Sequence, residues 1–175
     1  GGFYIYSMIE KVELKGTYGY KNFITDNEKN ELIEWSLNNE KKFIPNRDNR
    51  AYYTFNNPTS VTDLILKLKE RIIELESITD WKEEPIYLDY IGVNSKGGFI
   101  HQHLDLNNGE YIHTRYNVIL SYPDEGGESI YDDNTNILEE NMVWKCVAGK
   151  VKHGSTVVKG VKKRITLSLG FLIKD

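Results

Sequence analysis

Cysteine is almost missing from this chain, with Cys146 alone among 175 residues. That excludes an internal disulfide and a Cys-rich zinc site, and it points to a reducing, cytoplasmic setting. Cys146 sits in the mostly apolar run from Val143 to Ala148, where a free thiol is expected as buried filler rather than as a nucleophile. Long apolar runs are missing too. Nothing approaches the roughly 20 residues that a helix needs to cross a bilayer, so no membrane partner is expected. A strong charge imbalance is also absent: the net charge is −4, which argues against a general nucleic-acid binder. The first seven residues carry no charge and three aromatics. Gly1 to Ser7 are therefore read as an expression-tag remnant before a native Met8, with no basic n-region of a secretory signal.

What is present fits one domain over residues 8–175, since a chain of this length buries roughly 70% of the surface it would expose unfolded. Val12 to Ile24 predict one or two short aromatic strands. Thr25 followed by Glu28 is a capping-box signature for a helix running to about Lys42, and Ser60 with Asp63 predicts the start of a second helix. Val61, Leu64, Ile65, Leu68, Ile72 and Leu75 give that helix one apolar face. Residues 45–60 predict a loop with one short strand. From there the pattern changes to strands at residues 86–91, 116–122, 129–131, 142–147, 155–158 and 164–172, punctuated by Gly, Asn, Asp and Pro. Helices first and strands after give an α+β chain, with a sandwich or closed barrel over about residues 86–172 and the helices packed on its outside.

The chemistry concentrates in residues 97–105, Gly-Gly-Phe-Ile-His-Gln-His-Leu-Asp. On a strand, residues two apart share a face, so His103 and Asp105 can meet at one metal ion. His101 and His103 share a face as well, which leaves a His-x-His pair as the competing reading. His153 follows fifty residues later between two predicted strands, where an antiparallel barrel can bring it opposite the first pair. Arg164 opens the last strand eleven residues beyond it. His113 is read as solvated in a polar turn. Arg115 is read either as a substrate contact or as an ion pair at a strand start. Tyr52, Tyr53 and Trp144 are expected in the core. The basic residues from Lys145 to Arg164 are read as a solvated strand edge or as an attraction for an anionic ligand.

Taken together, these motifs resemble the Fe(II)- and 2-oxoglutarate-dependent dioxygenases, most closely their prolyl 4-hydroxylase-like branch. The resemblance rests on Tyr90 before Gly97-Gly98, the His103-x-Asp105 triplet, Arg115 with Tyr122 seven residues on, the acidic turn Asp124-Glu125-Gly126-Gly127-Glu128-Ser129, and His153 followed by Arg164. It implies a double-stranded β-helix, or jelly-roll, core. It also implies Fe(II) held by His103, Asp105 and His153, the distal carboxylate of 2-oxoglutarate on Arg164, and hydroxyl contacts to the cosubstrate from Tyr122 and Tyr90. O2 is the second cosubstrate, and ascorbate is an optional reductant in such a reading. Related halogenases have a small residue in place of the carboxylate, so Asp105 favours hydroxylation.

The expected function is hydroxylation of a C–H bond, foremost in a prolyl residue of a peptide or protein. The alternatives are a dioxygenase acting on a free amino acid or nucleobase, and a non-enzymatic jelly-roll metal-binding protein. Guanidinium supplies the planar fork that a carboxylate accepts in bidentate fashion, which is the physical reason to place an Arg beside the metal ligands.

Overall fold

The computed structural model describes residues 6–174. Most of the segment read as a tag remnant lies outside them. A short hairpin comes first, β1 (Glu10–Glu13) and β2 (Tyr18–Lys21). Helix α1 (Asp26–Asn38) starts at the expected capping box: Thr25 Oγ1 accepts from the Glu28 amide at 3.1 Å, and Glu28 Oε1 accepts from the Thr25 amide at 3.0 Å. The helix stops at Asn38, and a separate 3-10 turn, Glu40–Lys42, carries the chain to the predicted end.

Residues 45–60 differ from expectation. Two strands, β3 (Ile44–Asn46) and β4 (Arg50–Thr54), form a hairpin there instead of a loop with one strand. Asp48 and Asn49, both with positive φ, make its turn. Helix α2 (Thr62–Glu76) also departs at its start, because Val61 occupies the cap with no side-chain hydrogen bond. Thr59 Oγ1 accepts from the Val61 amide at 3.2 Å instead, so Ser60 is not the cap.

The remaining strands are β5 (Trp81–Glu83), β6 (Tyr90–Asn94), β7 (Ile100–His103), β8 (Ile112–Ser121), β9 (Ser129–Tyr131), β10 (Asn134–Asn136), β11 (Val143–Cys146), β12 (His153–Ser155) and β13 (Arg164–Ile173). They build two antiparallel sheets. The larger runs β1-β2-β11-β8-β13-β6-β4-β3, with β5 paired to β13, and the smaller runs β10-β9-β12-β7. Strands β1 to β5 thus add sheet upstream of the core region predicted from residue 86. No helix among the described residues is long and apolar enough to cross a membrane.

Alternation along the central strands sorts side chains to two buried faces. Ile165, Leu167, Leu169 and Phe171 of β13 join Tyr116, Val118 and Leu120 of β8 in a core with Leu32, Trp35, Leu68 and Ile72 of the helices. Arg164, Thr166 and Ser168, the alternate residues, face an inner cavity between the sheets, as do Arg115 and Asn117. The helices therefore cover the outer face and leave the inner one for polar groups.

Helix α2 does more than present an apolar stripe. Lys69 reaches Asp89 at 3.0 Å and the Gly170 carbonyl at 2.9 Å, and Arg71 pairs with Glu28 at 2.9 Å. At its last turn Glu76 accepts from three phenols: Tyr18 at 2.6 Å, Tyr20 at 2.6 Å and Tyr116 at 2.7 Å. Burial alone pushes the Glu76 carboxyl upward, but the three phenol hydrogen bonds and Lys145 outweigh it and hold it below the ordinary value.

A depressed folded-state pKa gives stability that is complete above the unfolded value and is lost as pH falls through the folded one. The Glu76→Gln variant, whose amide leaves at least one phenol without an acceptor, is expected to lose about 1–3 kcal/mol in urea unfolding at neutral pH. Its stability should also fall less steeply than that of the parent on acidification below the ordinary Glu range. Parallel acid limbs for the two proteins would count against this account of Glu76.

Candidate metal centre

His103 ends β7 and His153 opens β12, and the two strands pair with His153 directly opposite His103. Gly154 lets them close up: a Cβ there would lie 2.5 Å from the Ile100 carbonyl oxygen. Gly98 plays the same part upstream, where a Cβ would meet the Asp48 and Asn49 carbonyl oxygens at 2.8 Å. Asp105 follows β7 in extended chain, its amide bonded to the Ala148 carbonyl at 2.9 Å.

The result is a compact donor set. His103, Asp105 and His153 each offer one ligand atom, and these atoms all lie within 4.8 Å of one another. His103 Nε2 is 3.4 Å from Asp105 Oδ1, and His153 Nε2 is 3.6 Å from Asp105 Oδ2. Each ring is oriented from behind. His103 Nδ1 lies 2.7 Å from the His101 carbonyl and His153 Nδ1 lies 2.9 Å from the Val151 carbonyl. A carbonyl only accepts, so both Nδ1 atoms carry protons and both Nε2 atoms are the metal-facing donors.

Burial would raise the Asp105 carboxyl, but the imidazoles of His103 and His153 beside it hold it well below the usual carboxylate range. The Asp105 carboxylate in turn raises His103, against its burial. Two imidazoles and one carboxylate on one face are the donor set that suits a divalent first-row metal and leaves coordination positions open.

The triad lines a cavity of ≈ 360 Å³ that also takes in Tyr90, Asn117, Trp144, Cys146, Arg164 and Thr166. Arg164 is buried. Its Nη2 donates to Ser129 Oγ at 3.2 Å, and its Nε has no hydrogen-bond partner among the described residues. Burial lowers its pKa, with Tyr122 and Tyr90 opposing, and it forms no ion pair with an acid among the described residues. Thr166 Oγ1, next on the same strand face, is also buried and has no partner among the described residues. A buried guanidinium with no carboxylate is costly, and it marks a place for an anionic ligand.

Other predicted residues fall in different places. Tyr90 lines the cavity, with the Arg115 guanidinium 4.8 Å from its ring centroid. Tyr122 is not among the lining residues, and its hydroxyl accepts from the Leu138 amide at 3.2 Å. His101 points to solvent, 3.7 Å from Asp48. His113 is not solvated in a turn. It lies within β8, 1% exposed, with Nδ1 3.8 Å from Asp105 Oδ2, because β8 begins four residues earlier than the predicted strand.

Arg115 is buried in an ion pair with Glu84 at 3.3 Å and still lines the cavity. Tyr53 packs on Trp35 and Trp144 is buried in a second apolar cluster, both as expected, while Tyr52 lines the cavity, as does one side of Trp144. Cys146 is buried as expected, and burial pushes its thiol up. Lys159, Lys162 and Lys163 form surface ion pairs with Glu125, Glu140 and Glu40. Arg50 and Tyr87, both at the cavity, escaped the sequence reading. Thr166 was within its reach, since it shares the strand face of Arg164.

No family model and no curated protein matches the sequence. Solved structures are similar in fold. A collagen prolyl hydroxylase from Paramecium bursaria Chlorella virus-1, solved as a 2-oxoglutarate complex, is 19% identical over 95% of this chain and 97% of its own, with a TM-score of 0.66. A Pseudomonas putida prolyl-4-hydroxylase is 13% identical, covering 91% and 93% of the two chains, with a TM-score of 0.65. HygX from Streptomyces hygroscopicus, solved with nickel and 2-oxoglutarate, is 12% identical over 98% and 85%, with a TM-score of 0.68. At these identities the likeness speaks for the fold: α+β, with a double-stranded β-helix core.

The donor set predicts that the protein takes up Ni(II) or Fe(II) with release of protons, so affinity weakens as pH falls through the raised His103 pKa. In calorimetric titration, His153→Ala should lose more than the roughly 10- to 100-fold that removal of an outer partner costs a metal site. Unchanged Ni(II) affinity in that variant would remove His153 from the site.

Proposed function

We propose that the chain is an Fe(II)- and 2-oxoglutarate-dependent oxygenase that hydroxylates a prolyl residue in a peptide or protein. The observation that carries this reading is one cavity lined both by the two-His-one-carboxylate set and by a buried arginine with no acidic partner among the described residues. His103, Asp105 and His153 would hold the iron, which together with O2 and the oxo acid supplies the C–H chemistry. The balance is simple: 2-oxoglutarate, O2 and substrate give succinate, CO2 and hydroxylated substrate.

The chain's own residues bind and orient. Arg164 donates a planar fork to the distal carboxylate of 2-oxoglutarate, and Thr166 Oγ1, without a partner among the described residues, adds a hydroxyl beside it. Tyr90 is placed to contact the same cosubstrate, and Tyr122 holds its hydroxyl against the Leu138 amide outside the cavity lining. Trp144 and Cys146 supply an apolar wall that keeps the interior dry.

A peptide substrate has support at the mouth. Arg50 lines the cavity, donates to the Arg47 carbonyl at 3.2 Å, and forms no ion pair among the described residues. A like-charged substrate would be repelled there. That disfavours a polycationic aminoglycoside, although one neighbour, HygX, was solved with hygromycin B. Another neighbour, a prolyl hydroxylase from Trichoplax adhaerens, was solved with a peptide fragment of hypoxia inducible factor.

The test is succinate formation from 2-oxoglutarate on a panel of prolyl peptides, free amino acids and nucleobases, with mass gain of one oxygen on the substrate. Turnover on the amino-acid or nucleobase members alone would reject the prolyl reading, and no turnover on any would reject the oxygenase.

Arg164→Met should fold, because an apolar isostere of an unmatched buried charge is close to neutral in stability. Its KM for 2-oxoglutarate should rise about 10- to 150-fold, the worth of a hydrogen bond to a charged group. Arg164→Lys should recover only part of that loss.

A further inference from the structure

The chain between β5 and β6 is written as strand, Ile86-Tyr87-Leu88, yet it folds as a turn. One carboxylate makes the turn. Glu84 is 2% exposed and accepts from three successive amides: Ile86 at 2.9 Å, Tyr87 at 2.7 Å and Leu88 at 2.9 Å. Arg115 closes the clamp. Its guanidinium reaches Glu84 at 3.3 Å and donates to the Leu88 carbonyl at 2.7 Å. Leu88 is held at φ 55, a left-handed conformation that a branched apolar residue seldom adopts without outside constraint.

This construction ends in an exposed side chain. Tyr87 lines the cavity of the metal ligands and remains 50% exposed, with its ring within 17° of parallel to His113. A large aromatic ring left in water on an immobilised backbone, at the mouth of a cavity, loses little freedom when it gains a partner. Rigid aromatic rings of this kind recognise substrates by face contact.

We propose that Tyr87 is a specificity-determining residue that packs against the ring of the substrate beside the target C–H bond, and that Glu84 and Arg115 are its positioning residues. The ligand class is a saturated, weakly polar ring such as the pyrrolidine of a prolyl residue, whose C–H groups next to nitrogen are attracted to the electron-rich face of a phenol. The inference rests on the prolyl reading above and adds the wall that reads the ring. Arg115, given a choice between substrate contact and ion pair by the sequence, acts here through Glu84 and the Leu88 carbonyl.

The experiment compares the parent protein with Tyr87→Phe and Tyr87→Ala, using poly-L-proline as the probe. Two quantities are read: the KM for poly-L-proline in succinate formation, and the equilibrium binding of fluorescently labelled poly-L-proline to the Ni(II)- and 2-oxoglutarate-loaded protein. Tyr87→Ala should weaken both by roughly 2- to 10-fold with the KM for 2-oxoglutarate unchanged, and Tyr87→Phe should retain both. Equal KM and equal binding in the parent and Tyr87→Ala would overturn the role of Tyr87 while leaving the prolyl reading in place. A parent that neither binds poly-L-proline nor turns over in its presence would overturn both. A rise in the KM for 2-oxoglutarate in Tyr87→Ala would show a disturbed cosubstrate site and overturn the specificity role.

Discussion

A charge taken out of water must be matched, and the buried charges of this protein divide by how that is done. Glu28 with Arg71, Asp89 with Lys69, and Glu76 with three phenols are matched within the fold, and they tie helix α2 to its surroundings. Glu84 with Arg115 is matched too, at the price of a strained turn. Two groups are left over inside one cavity. Asp105 faces His103 and His153, whose outer nitrogens are already committed to carbonyls, with His113 beyond, and Arg164 donates to Ser129 and forms no ion pair among the described residues. One is a place for a cation and the other for an anion. The pairing of a metal-ready cluster with an anion-ready arginine is what separates this cavity from an ordinary gap between sheets.

Much of the centre was legible because its signals are local or periodic. Two-residue spacing places His103 and Asp105 on one side of an extended chain. Thr25 and Glu28 announce a helix start by a bond that spans three residues. His153 and Arg164 become legible once an antiparallel core is assumed, since β12 then falls opposite β7 and β13 continues the wall. The structure brings His103, Asp105 and His153 together and leaves His101 outside.

What was illegible depends on partners distant in sequence. Ile86-Tyr87-Leu88 has the composition of a strand, and only a carboxylate locked by Arg115, 31 residues away, turns it. His113 reads as polar turn until β8 is seen to pair with β13 as far as Ile112, which draws the imidazole inside. The hairpin of β3 and β4 hides behind turn-rich composition because β6 provides the template it pairs with. Lys69 sits on the buried side of α2 because its counter-charges arrive from β5 and from the residue before β6.

Strand β13 carries a consequence for how such a sequence can change over time. Its odd positions, Ile165 to Phe171, hold the helices, while Arg164, Thr166 and Ser168 face the cavity. Selection on packing and selection on chemistry therefore act on different letters of the same word. One set can drift among apolar residues of similar volume without touching the reaction, and the other can be rewritten for a new ligand without loosening the scaffold. Such parity lets two chains share little more than a tenth of their residues and keep one fold, as this chain and HygX do.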